Sequence, residues 1–380
     1  MDAFFNNMVE LFANITNITW QQLVMWVIGG VLIYLAIKKE MEPSLLLPMG
    51  FGVILVNLPL SGAITQGDEE GALSTLFNAG IANELFPLIL FIGIGAMIDF
   101  GPLLSNPKML LFGGAAQFGI FFTISMASLL GFELKDAASI GIIGAADGPT
   151  SIFVANYFKS NYSAAITVAA YSYMALVPIV QPPIIKLITT RNERLIRMEY
   201  KQKDVSQTVK ILFPIIVTVI AGLVAPKSVS LIGFLMFGNL IRECGVLRSL
   251  SETAQNVLAN LVTIFLGITV AVNMNAEHFL RWETILIFIL GLISFIFDTI
   301  GGVMFAKLIN LFTKKKINPM IGAAGISAFP MASRVVHKMG RDEDPGNFLL
   351  MHAAGANVAG QVASVIAGGL VMTLVSGMIG

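Results

Sequence analysis

Charged residues and cysteine are scarce in this chain. Asp, Glu, Lys and Arg together make up 12% of its 380 residues, against roughly 25% in soluble domains. The single cysteine, Cys244, excludes an internal disulfide and a thiolate metal cluster. The three histidines are too far apart in the sequence to predict a transition-metal site. The chain also lacks a Walker phosphate-binding loop, which argues against ATP as an energy source.

Hydrophobic residues are abundant instead and make up 56% of the sequence. Several apolar runs exceed about 18 residues with almost no charge, which is long enough to cross a bilayer. We therefore predict an all-α polytopic membrane protein with one integral membrane domain over residues 1–380. The alternative, a large soluble protein with buried helices, fits these runs poorly. The predicted membrane segments are 20–37, 43–60, 85–100, 109–130, 137–158, 164–185, 211–225, 231–241, 257–272, 285–312, 318–335 and 348–379.

The charges are distributed unevenly among the predicted loops. The loop at 61–84 has no Lys or Arg and contains Asp68, Glu69 and Glu70, whereas the loop at 186–210 is basic. Basic loops are cytoplasmic by the positive-inside rule. If every segment crossed, the basic loops would fall on opposite sides of the membrane. We therefore predict that segments 137–158 and 318–335 are broken, re-entrant elements that open from opposite sides.

Opposed, non-crossing segments in two halves of a chain are typical of inverted-repeat transporters. We predict half-repeats at about 43–185 and 211–379, joined by the cytoplasmic loop at 186–210. A weak internal match supports them, because Gly144-Ala-Ala-Asp147 and Gly322-Ala-Ala-Gly325 fall in the two broken elements. A second match, between Gly95-Ala-Met-Ile98 and Gly238-Asn-Leu-Ile241, does not fit the predicted inversion and is interpreted as chance.

Asp147 is the clearest candidate for a functional residue. A carboxylate that faced lipid would cost about 2.5–3.5 kcal/mol, so we expect Asp147 to face a cavity, a partner or an ion. Gly148 and Pro149 interrupt the helix and free backbone carbonyls, and a buried acid beside a broken helix is typical of a cation site. The alternative is an acid neutralised by a proton or an arginine. Nearby residues with neutral oxygens are Thr150, Ser151 and Asn156.

A second set of polar residues lies in the predicted element at 318–335. Asn318 and Ser327 offer neutral oxygens, and Gly322 permits close backbone approach. Arg334 places a positive charge near the cytoplasmic end, which suits an anionic substrate group. Alternatively, Asn318 caps a helix and Arg334 is an anchor at the membrane surface. The same element contains Gly325, Pro330 and Ser333.

Other polar residues in the apolar segments are less specific. Tyrosine hydroxyls inside a membrane usually need a partner, so Tyr173 either lines a cavity and helps to deliver a proton or is an interfacial aromatic residue. Asn357 is either an ion ligand or a hydrogen-bond donor between helices. Asp298 lies deep in its segment and is a reserve candidate for an ion site. Tyr171, Gln181, Pro182 and Pro183 complete this set.

Together these motifs resemble the membrane β subunit of the sodium-pumping, biotin-dependent decarboxylases. The resemblance covers nearly the whole chain, and its departure is Ile98, where a small polar residue is expected. It rests on Gly95-Ala-Met-Ile-Asp-Phe-Gly-Pro-Leu-Leu104, on Gly144-Ala-Ala-Asp-Gly-Pro-Thr150, on Tyr171-Ser-Tyr-Met-Ala-Leu-Val-Pro178 with Gln181-Pro-Pro183, and on Asn318, Gly322, Ser327 and Arg334 at the family's spacing.

The resemblance implies a translocase subunit that acts within a multi-subunit decarboxylase complex. Carboxybiotin, with the biotin carried on a partner subunit, is decarboxylated with consumption of a proton, and sodium ions move outward. The positions implied for sodium are Asp147, Asn318, Ser327 and Asn357. Those implied for catalysis and coupling are Asp147, Tyr173 and Arg334, with Arg334 also assigned to carboxybiotin. Those with a structural role at the site are Gly148, Pro149 and Gly322.

The resemblance also implies partners and a location. The expected partners are a carboxyltransferase α subunit, a biotin carrier subunit, a small membrane γ or δ subunit and membrane lipid, with no nucleic acid. Related subunits are thought to form trimers in the prokaryotic cytoplasmic (inner) membrane, where an elevator-like core that contains both re-entrant elements slides against a scaffold. Members of the family act with oxaloacetate, methylmalonyl-CoA, glutaconyl-CoA or malonate carboxyltransferases, and the length of this chain favours the acyl-CoA members. A stand-alone sodium/proton antiporter or sodium/organic-anion symporter is the alternative function.

Overall fold

The computed structural model describes residues 17–40, 43–67, 69–199 and 204–379. These residues form helices joined by turns and contain no β-strand, which confirms the all-α prediction. The uneven charge of the predicted loops depended in part on Asp68, Lys201 and Lys203. These three lie outside the described residues. The α-helices, in chain order, are α1 Trp20–Lys39, α2 Pro43–Val56, α3 Ala72–Gly80, α4 Leu85–Met97, α5 Gly101–Ser105, α6 Leu110–Ala115, α7 Phe118–Leu129, α8 Leu134–Gly141, α9 Gly148–Tyr157, α10 Ser163–Ile188, α11 Arg191–Arg194, α12 Gln207–Val224, α13 Val229–Glu243, α14 Arg248–Glu252, α15 Ala259–Val270, α16 Ala276–Phe279, α17 Trp282–Phe312, α18 Met320–Ala323, α19 Met331–Glu343 and α20 Leu350–Ile379.

The long apolar helices make this a multi-pass membrane protein. In the described part of the chain, six helices are long and apolar enough to cross a membrane, or up to eight if each of two bent pairs counts as one span. Helix α2 is apolar but has only 14 residues, so the predicted segment at 43–60 is shorter than expected. The six candidate spans are Trp20–Lys39, Pro107–Leu129, Gln207–Val224, Arg248–Asn273, Trp282–Phe312 and Leu350–Ile379.

The chain forms two compact units, and the first consists of Met1–Phe86 and Asn260–Ile285. Its helix α1 begins at a capping box between Thr19 and Gln22 and ends in Lys38 and Lys39. The side chain of Asn57 donates to the carbonyl of Met274 at 2.9 Å and accepts the backbone N–H of Ala276 at 2.8 Å. This unit contains none of the residues singled out for the site.

The second unit, Pro87–Ala259 with Leu286–Gly380, contains every candidate site residue. Helix α20 lies in its core, and most of the helix is buried. Small residues on α20 let other backbones approach closely: a Cβ added at Gly360 would overlap the carbonyl oxygen of Gly325 and lie 2.7 Å from that of Ile326. The polar face of α20 is therefore held directly against the element that contains Ser327.

Both predicted elements are broken. The first consists of α8, a 3-10 turn at Ile142–Ala145 and α9, with Ala146 in the left-handed conformation at φ 52°. The second has only the single turn α18 before a non-helical segment and then α19, which starts just after Pro330. Neither element is among the candidate spans. The breaks are thus confirmed, whereas re-entry, inversion and the half-repeat boundaries stay predictions.

The second internal match lies at a contact between α4 and α13. A Cβ added at Gly95 would overlap the carbonyl oxygen of Leu235 and lie 3.1 Å from the amide nitrogen of Asn239. One added at Gly238 would overlap the carbonyl oxygen of Ile92 and lie 3.0 Å from the amide nitrogen of Ala96. Each glycine thus faces the residues three before and one after the other glycine. The two segments therefore pack closely at their glycines, while an internal relation between them stays untested.

Candidate functional site

Asp147 is buried at the break between the 3-10 turn and α9, where it caps α9. Its Oδ1 accepts the backbone N–H of Thr150 at 3.2 Å, and its own carbonyl accepts the hydroxyl of Ser151 at 2.8 Å. A carboxylate at this position is favoured by the positive end of the helix dipole. Its Oδ2 accepts the hydroxyl of Ser364 at 2.8 Å. No Lys or Arg of the described residues pairs with Asp147, so neutralisation by an arginine is not observed.

A backbone hydrogen bond joins the two broken elements beside Asp147. The N–H of Ser327 donates to the carbonyl of Ala145 at 3.1 Å, and its hydroxyl donates to the carbonyl of Gly360 at 3.3 Å. The side-chain amide of Gln361 donates to the carbonyl of Ser327. Asn357 donates to the carbonyl of Ile326 at 2.7 Å. The structure therefore brings Asp147, Ser327 and Asn357 into one hydrogen-bonded network.

Two oxygens in and beside this network accept no hydrogen bond from the described residues. Asn357 Oδ1 and Thr150 Oγ1 are fully buried and accept no hydrogen bond in the described structure. A buried oxygen without a donor costs free energy, and a cation would satisfy it. Carboxylate and neutral oxygens are the groups that hold sodium in broken-helix transporters. The role of these residues as sodium ligands stays a prediction.

Asn318 makes its contacts elsewhere. Its side-chain amide donates to the carbonyls of Arg194 and Ile196 at 2.8 and 2.9 Å, and its Oδ1 accepts the N–H of Met320 at 3.1 Å. It is fully buried. These contacts fasten the loop after α11 to the start of the second broken element. The N-cap position of α18 is occupied by Pro319, one residue after Asn318. Its role as a sodium ligand stays a prediction.

The two tyrosines of α10 have different neighbours. The Tyr173 hydroxyl donates to the carbonyl of Phe288 on α17, and its ring lies in an apolar cluster with residues such as Ile140 and Ile143. The ring of Tyr171 covers Gly148, where an added Cβ would overlap the ring carbons. Tyr171 therefore contacts the start of α9, the helix that Asp147 caps. Tyr173 lies with Ile140 and Ile143, on the other side of the break.

Gly322, Pro149 and Gln181 shape the two elements. A Cβ added at Gly322 would overlap the carbonyl oxygen of Gly302, so a small residue is required there. Pro149 lies in the first turn of α9, where a proline costs no hydrogen bond. Gln181 donates to the carbonyl of Ala323 at 2.7 Å and so ties α10 to the second element.

Arg334 is exposed on α19, and no described carboxylate pairs with it. Carboxylates at the C-terminal end of α19 are occupied by other arginines: Arg194 Nε lies 2.6 Å from Glu343, and Arg197 Nε lies 2.5 Å from Asp344. The hydrogen bond from Arg197 holds the pKa of Asp344 below its usual value. Arg334 is therefore left available for an external anion.

Comparison with known proteins decides the family. A family model described as "Na+-transporting oxaloacetate decarboxylase beta subunit" matches residues 21–375. The chain belongs to this family. It is 51% identical over 353 residues to the methylmalonyl-CoA decarboxylase subunit beta of Veillonella parvula, covering 93% of each chain. It is 48% identical over 379 residues to the glutaconyl-CoA decarboxylase subunit beta of Acidaminococcus fermentans, covering 99% of this chain and 100% of that one. It is 43% identical over 420 residues to the probable oxaloacetate decarboxylase beta chain of Vibrio cholerae, covering 95% of this chain and 97% of that one.

Family membership confirms the resemblance inferred from the motifs. The relatives are named as β subunits of decarboxylases that act on three different substrates, which implies a complex with other subunits. The stand-alone transporter is not favoured by these names.

Two residues of the network, Gln361 and Ser364, were missed by sequence reasoning. With Asn357 they occupy positions i, i+4 and i+7 of α20, which places all three on one face of the helix. That spacing of polar side chains in an otherwise apolar segment is the signal that could have found them. Tyr171 was noted without a role, and its contact with Gly148 depends on the tertiary fold.

Proposed function

We propose that this chain is the membrane subunit of a biotin-dependent decarboxylase complex. In this function it decarboxylates carboxybiotin with consumption of a proton and couples the reaction to outward sodium transport. The observation that carries the proposal is the network around Asp147, in which a buried carboxylate accepts a hydrogen bond from α20 beside the bond that joins the two broken elements. Buried oxygens of Thr150 and Asn357 in and beside this network accept no hydrogen bond. The names of the relatives support the decarboxylase part, and the description of the family supports sodium as the ion.

Sodium is the cargo of the proposed site. Asp147 supplies the negative charge, and the Ser364 hydroxyl and the Thr150 N–H hold the carboxylate in place. Ser327, Asn357 and Thr150 would supply neutral oxygens. The bound ion would neutralise Asp147, which lowers the free-energy cost of holding this carboxylate within the membrane. Asn318 would act on the same site through the element that it starts, or as a further ligand.

Carboxybiotin on the partner supplies a carboxyl group whose loss as CO2 consumes one proton. Arg334 is suited to hold that carboxylate, because its guanidinium is exposed, unpaired and able to donate two parallel hydrogen bonds. Tyr173 and Asp147 are the proposed coupling residues between the proton and the sodium ion. The partners in this proposal are a carboxyltransferase α subunit, a biotin carrier and a small γ or δ membrane subunit.

We propose an inverted-repeat, elevator-like architecture for the transport step. The two broken elements and the matched contacts at Gly95 and Gly238 support an internal twofold relation. The backbone bond from Ser327 to Ala145 supports a core in which both elements move together. Assembly as a trimer in the prokaryotic inner membrane, and the half-repeat boundaries at about 43–185 and 211–379, belong to the same proposal.

The substrate class that we favour for the complex is an acyl-CoA. The relatives named for methylmalonyl-CoA and glutaconyl-CoA share 51% and 48% identity with this chain, against 43% for those named for oxaloacetate. The acyl substrate would bind to a different subunit, so the membrane chain alone would not discriminate between acyl groups.

Sodium uptake into inverted vesicles that contain the purified complex tests the function. We expect uptake to require the acyl-CoA substrate and to stop when avidin blocks biotin. Sodium uptake that avidin leaves unchanged would overturn the decarboxylase mechanism in favour of a stand-alone transporter. Asp147→Asn should abolish both decarboxylation and uptake, because it removes the charge that holds the ion.

A further inference from the structure

Asp298 is a second buried acid within the second unit, and the proposed sodium site does not use it. It lies near the middle of α17, a 31-residue apolar helix, and its side chain is fully buried. An unpaired charge at this depth is costly. The residue therefore needs a permanent partner, a bound ion or a proton.

The two carboxylate oxygens of Asp298 have different surroundings. Oδ1 accepts the backbone N–H of Gly119, at the start of α7. Oδ2 has no hydrogen-bond partner among the described residues. It points to the 3-10 turn before Asp147, because a Cβ added at Gly144 would lie 2.5 Å from Oδ2 and overlap the hydroxyl of Ser294. Asp298 therefore lies where two interrupted helices meet.

No Lys or Arg within the described ranges forms an ion pair with Asp298. Helices α6 and α7 and the turn at Ile142–Ala145 contain no charged side chain. On its own helix the only lysine, Lys307, pairs with Glu193 at 3.1 Å. The acid closest in sequence to this turn is Asp147, which has its own hydrogen bonds to Thr150 and Ser364. A structural ion pair is therefore not the explanation for Asp298.

A proton fits this site better than a metal ion does. Ser294 donates its hydroxyl proton to the carbonyl of Gly141 at 3.2 Å, so this hydroxyl does not donate to Oδ2. The oxygens brought together around Oδ2 are few, and the backbone of Gly144 fills the space in front of it. A proton needs one acceptor and no cavity, whereas sodium needs several oxygen ligands and room for them.

The site can also stabilise the ionised form. The N–H of Gly119 lies at a helix start, where it has no acceptor within the helix and donates to Oδ1 instead. The helix dipole there favours a negative charge on Asp298. The neutral form is stabilised by the apolar surroundings and the anion by the helix end, so both protonation states have a physical basis.

We propose that Asp298 is a proton-carrying site, which holds a proton on Oδ2 and releases and regains it during transport. This role rests on the proposed function, because decarboxylation of carboxybiotin breaks an N–C bond, releases CO2 and leaves a nitrogen that must take up a proton. Asp298 would give its proton towards that reaction and be reprotonated from water. Oδ2 faces Gly144, three residues before Asp147. Ionisation of Asp298 would therefore also change the electrostatic potential at the turn that positions the sodium site.

Infrared spectroscopy of the purified subunit tests the proton directly, without turnover. We expect the carbonyl band of a buried protonated carboxylic acid in the unmodified protein, its loss in Asp298→Asn and its retention in Asp298→Glu. The matched control is Asp136→Asn, because Asp136 is also buried but accepts a hydrogen bond from Ser160 at 2.6 Å. If the band is the same in Asp298→Asn, the proposal is overturned whatever the complex catalyses.

Turnover and sodium binding test the exchange. Asp298→Asn should lower sodium-coupled decarboxylation by about 100-fold, the size expected for a lost proton-transfer group, and leave the number of bound sodium ions unchanged. Asp298→Glu should restore part of the turnover. Unaltered turnover in Asp298→Asn would show a static neutral acid, and loss of one bound sodium would show a sodium ligand; either result overturns the proposal. Failure of avidin inhibition would instead count against the proposed function alone.

Discussion

Ser364 donates a 2.8 Å hydrogen bond to Oδ2 of Asp147 from a position 217 residues further along the chain. The same hydroxyl lies 3.0 Å from the carbonyl of Gln361 in its own helix. The Asp147 carboxylate is thus held on one oxygen by its own helix, through Thr150, and on the other by α20. The orientation of the acid depends on both elements.

The first prediction concerns this hydrogen bond. Ser364→Ala removes it and leaves Asp147 Oδ2 without a donor. A hydrogen bond to a charged group contributes roughly 1.5–3 kcal/mol, so we expect the sodium concentration for half-maximal decarboxylation to rise by about tenfold or more. Ser376→Ala is the matched control, because Ser376 lies on the same helix and contacts the exposed Tyr157 hydroxyl. Equal sodium requirements in both variants would contradict the prediction.

The second prediction concerns Gly322. Gly322→Ala forces a methyl group into the carbonyl of Gly302, so α17 and the second broken element must separate. We expect a loss of stability of roughly 1–3 kcal/mol or more, seen as a lower unfolding temperature in detergent. Gly114→Ala is the control, because a Cβ added there meets nothing within 4 Å. Equal unfolding temperatures for the two variants would show that the contact tolerates a side chain.

The third prediction concerns the loop after α11. Asn318→Ala removes the side-chain amide that donates to the carbonyls of Arg194 and Ile196. The loss should lower the free energy of unfolding by about 1–3 kcal/mol. We expect faster trypsin cleavage after Arg194 or Arg197. Asn347→Ala is a useful comparison, because Asn347 also donates to the carbonyl of Arg194, at 3.0 Å.

The sodium requirement separates the two roles of Asn318. If both variants loosen the loop but only Asn318→Ala weakens sodium activation, Asn318 is also an ion ligand. Unchanged cleavage in both variants would refute the role of these side chains in holding the loop.

The fourth prediction concerns Arg334. Arg334→Lys keeps the charge but loses the planar fork, so we expect a large loss of carboxybiotin turnover with no change in unfolding temperature. Lys338→Ala, an exposed change on the same helix, should retain turnover. Normal turnover in Arg334→Lys would identify the residue as a membrane-surface anchor.

The helix breaks could be predicted from sequence because their cause is local. Gly148 and Pro149 favour a helix start and Pro330 favours a break before α19, and the cost of a charge in lipid singles out Asp147. The number of spans was less predictable, since α2 has only 14 residues although its segment is apolar throughout. Length and hydropathy do not reveal where a turn will end a helix.

The partners of the site residues were not predictable in the same way. Asn318 binds a carbonyl 124 residues earlier in the chain, and a serine such as Ser364 is common in apolar helices. The match between Gly95 and Gly238 was interpreted as chance because the charge count assigned its segments an unsuitable orientation. Its packing became visible only in the fold, where each glycine faces the partner helix.

The link between Ser327 and Ala145 is made by main-chain atoms alone. Substitution at either position leaves both the donor and the acceptor in place, except for proline at 327. This hydrogen bond therefore does not depend on which side chains the two positions carry. If an ion binds between the two elements, as we propose, parting them to release it would first have to break this bond. In that proposal the elements stay together, and the surroundings of the pair control entry and exit, first on one side of the membrane and then on the other.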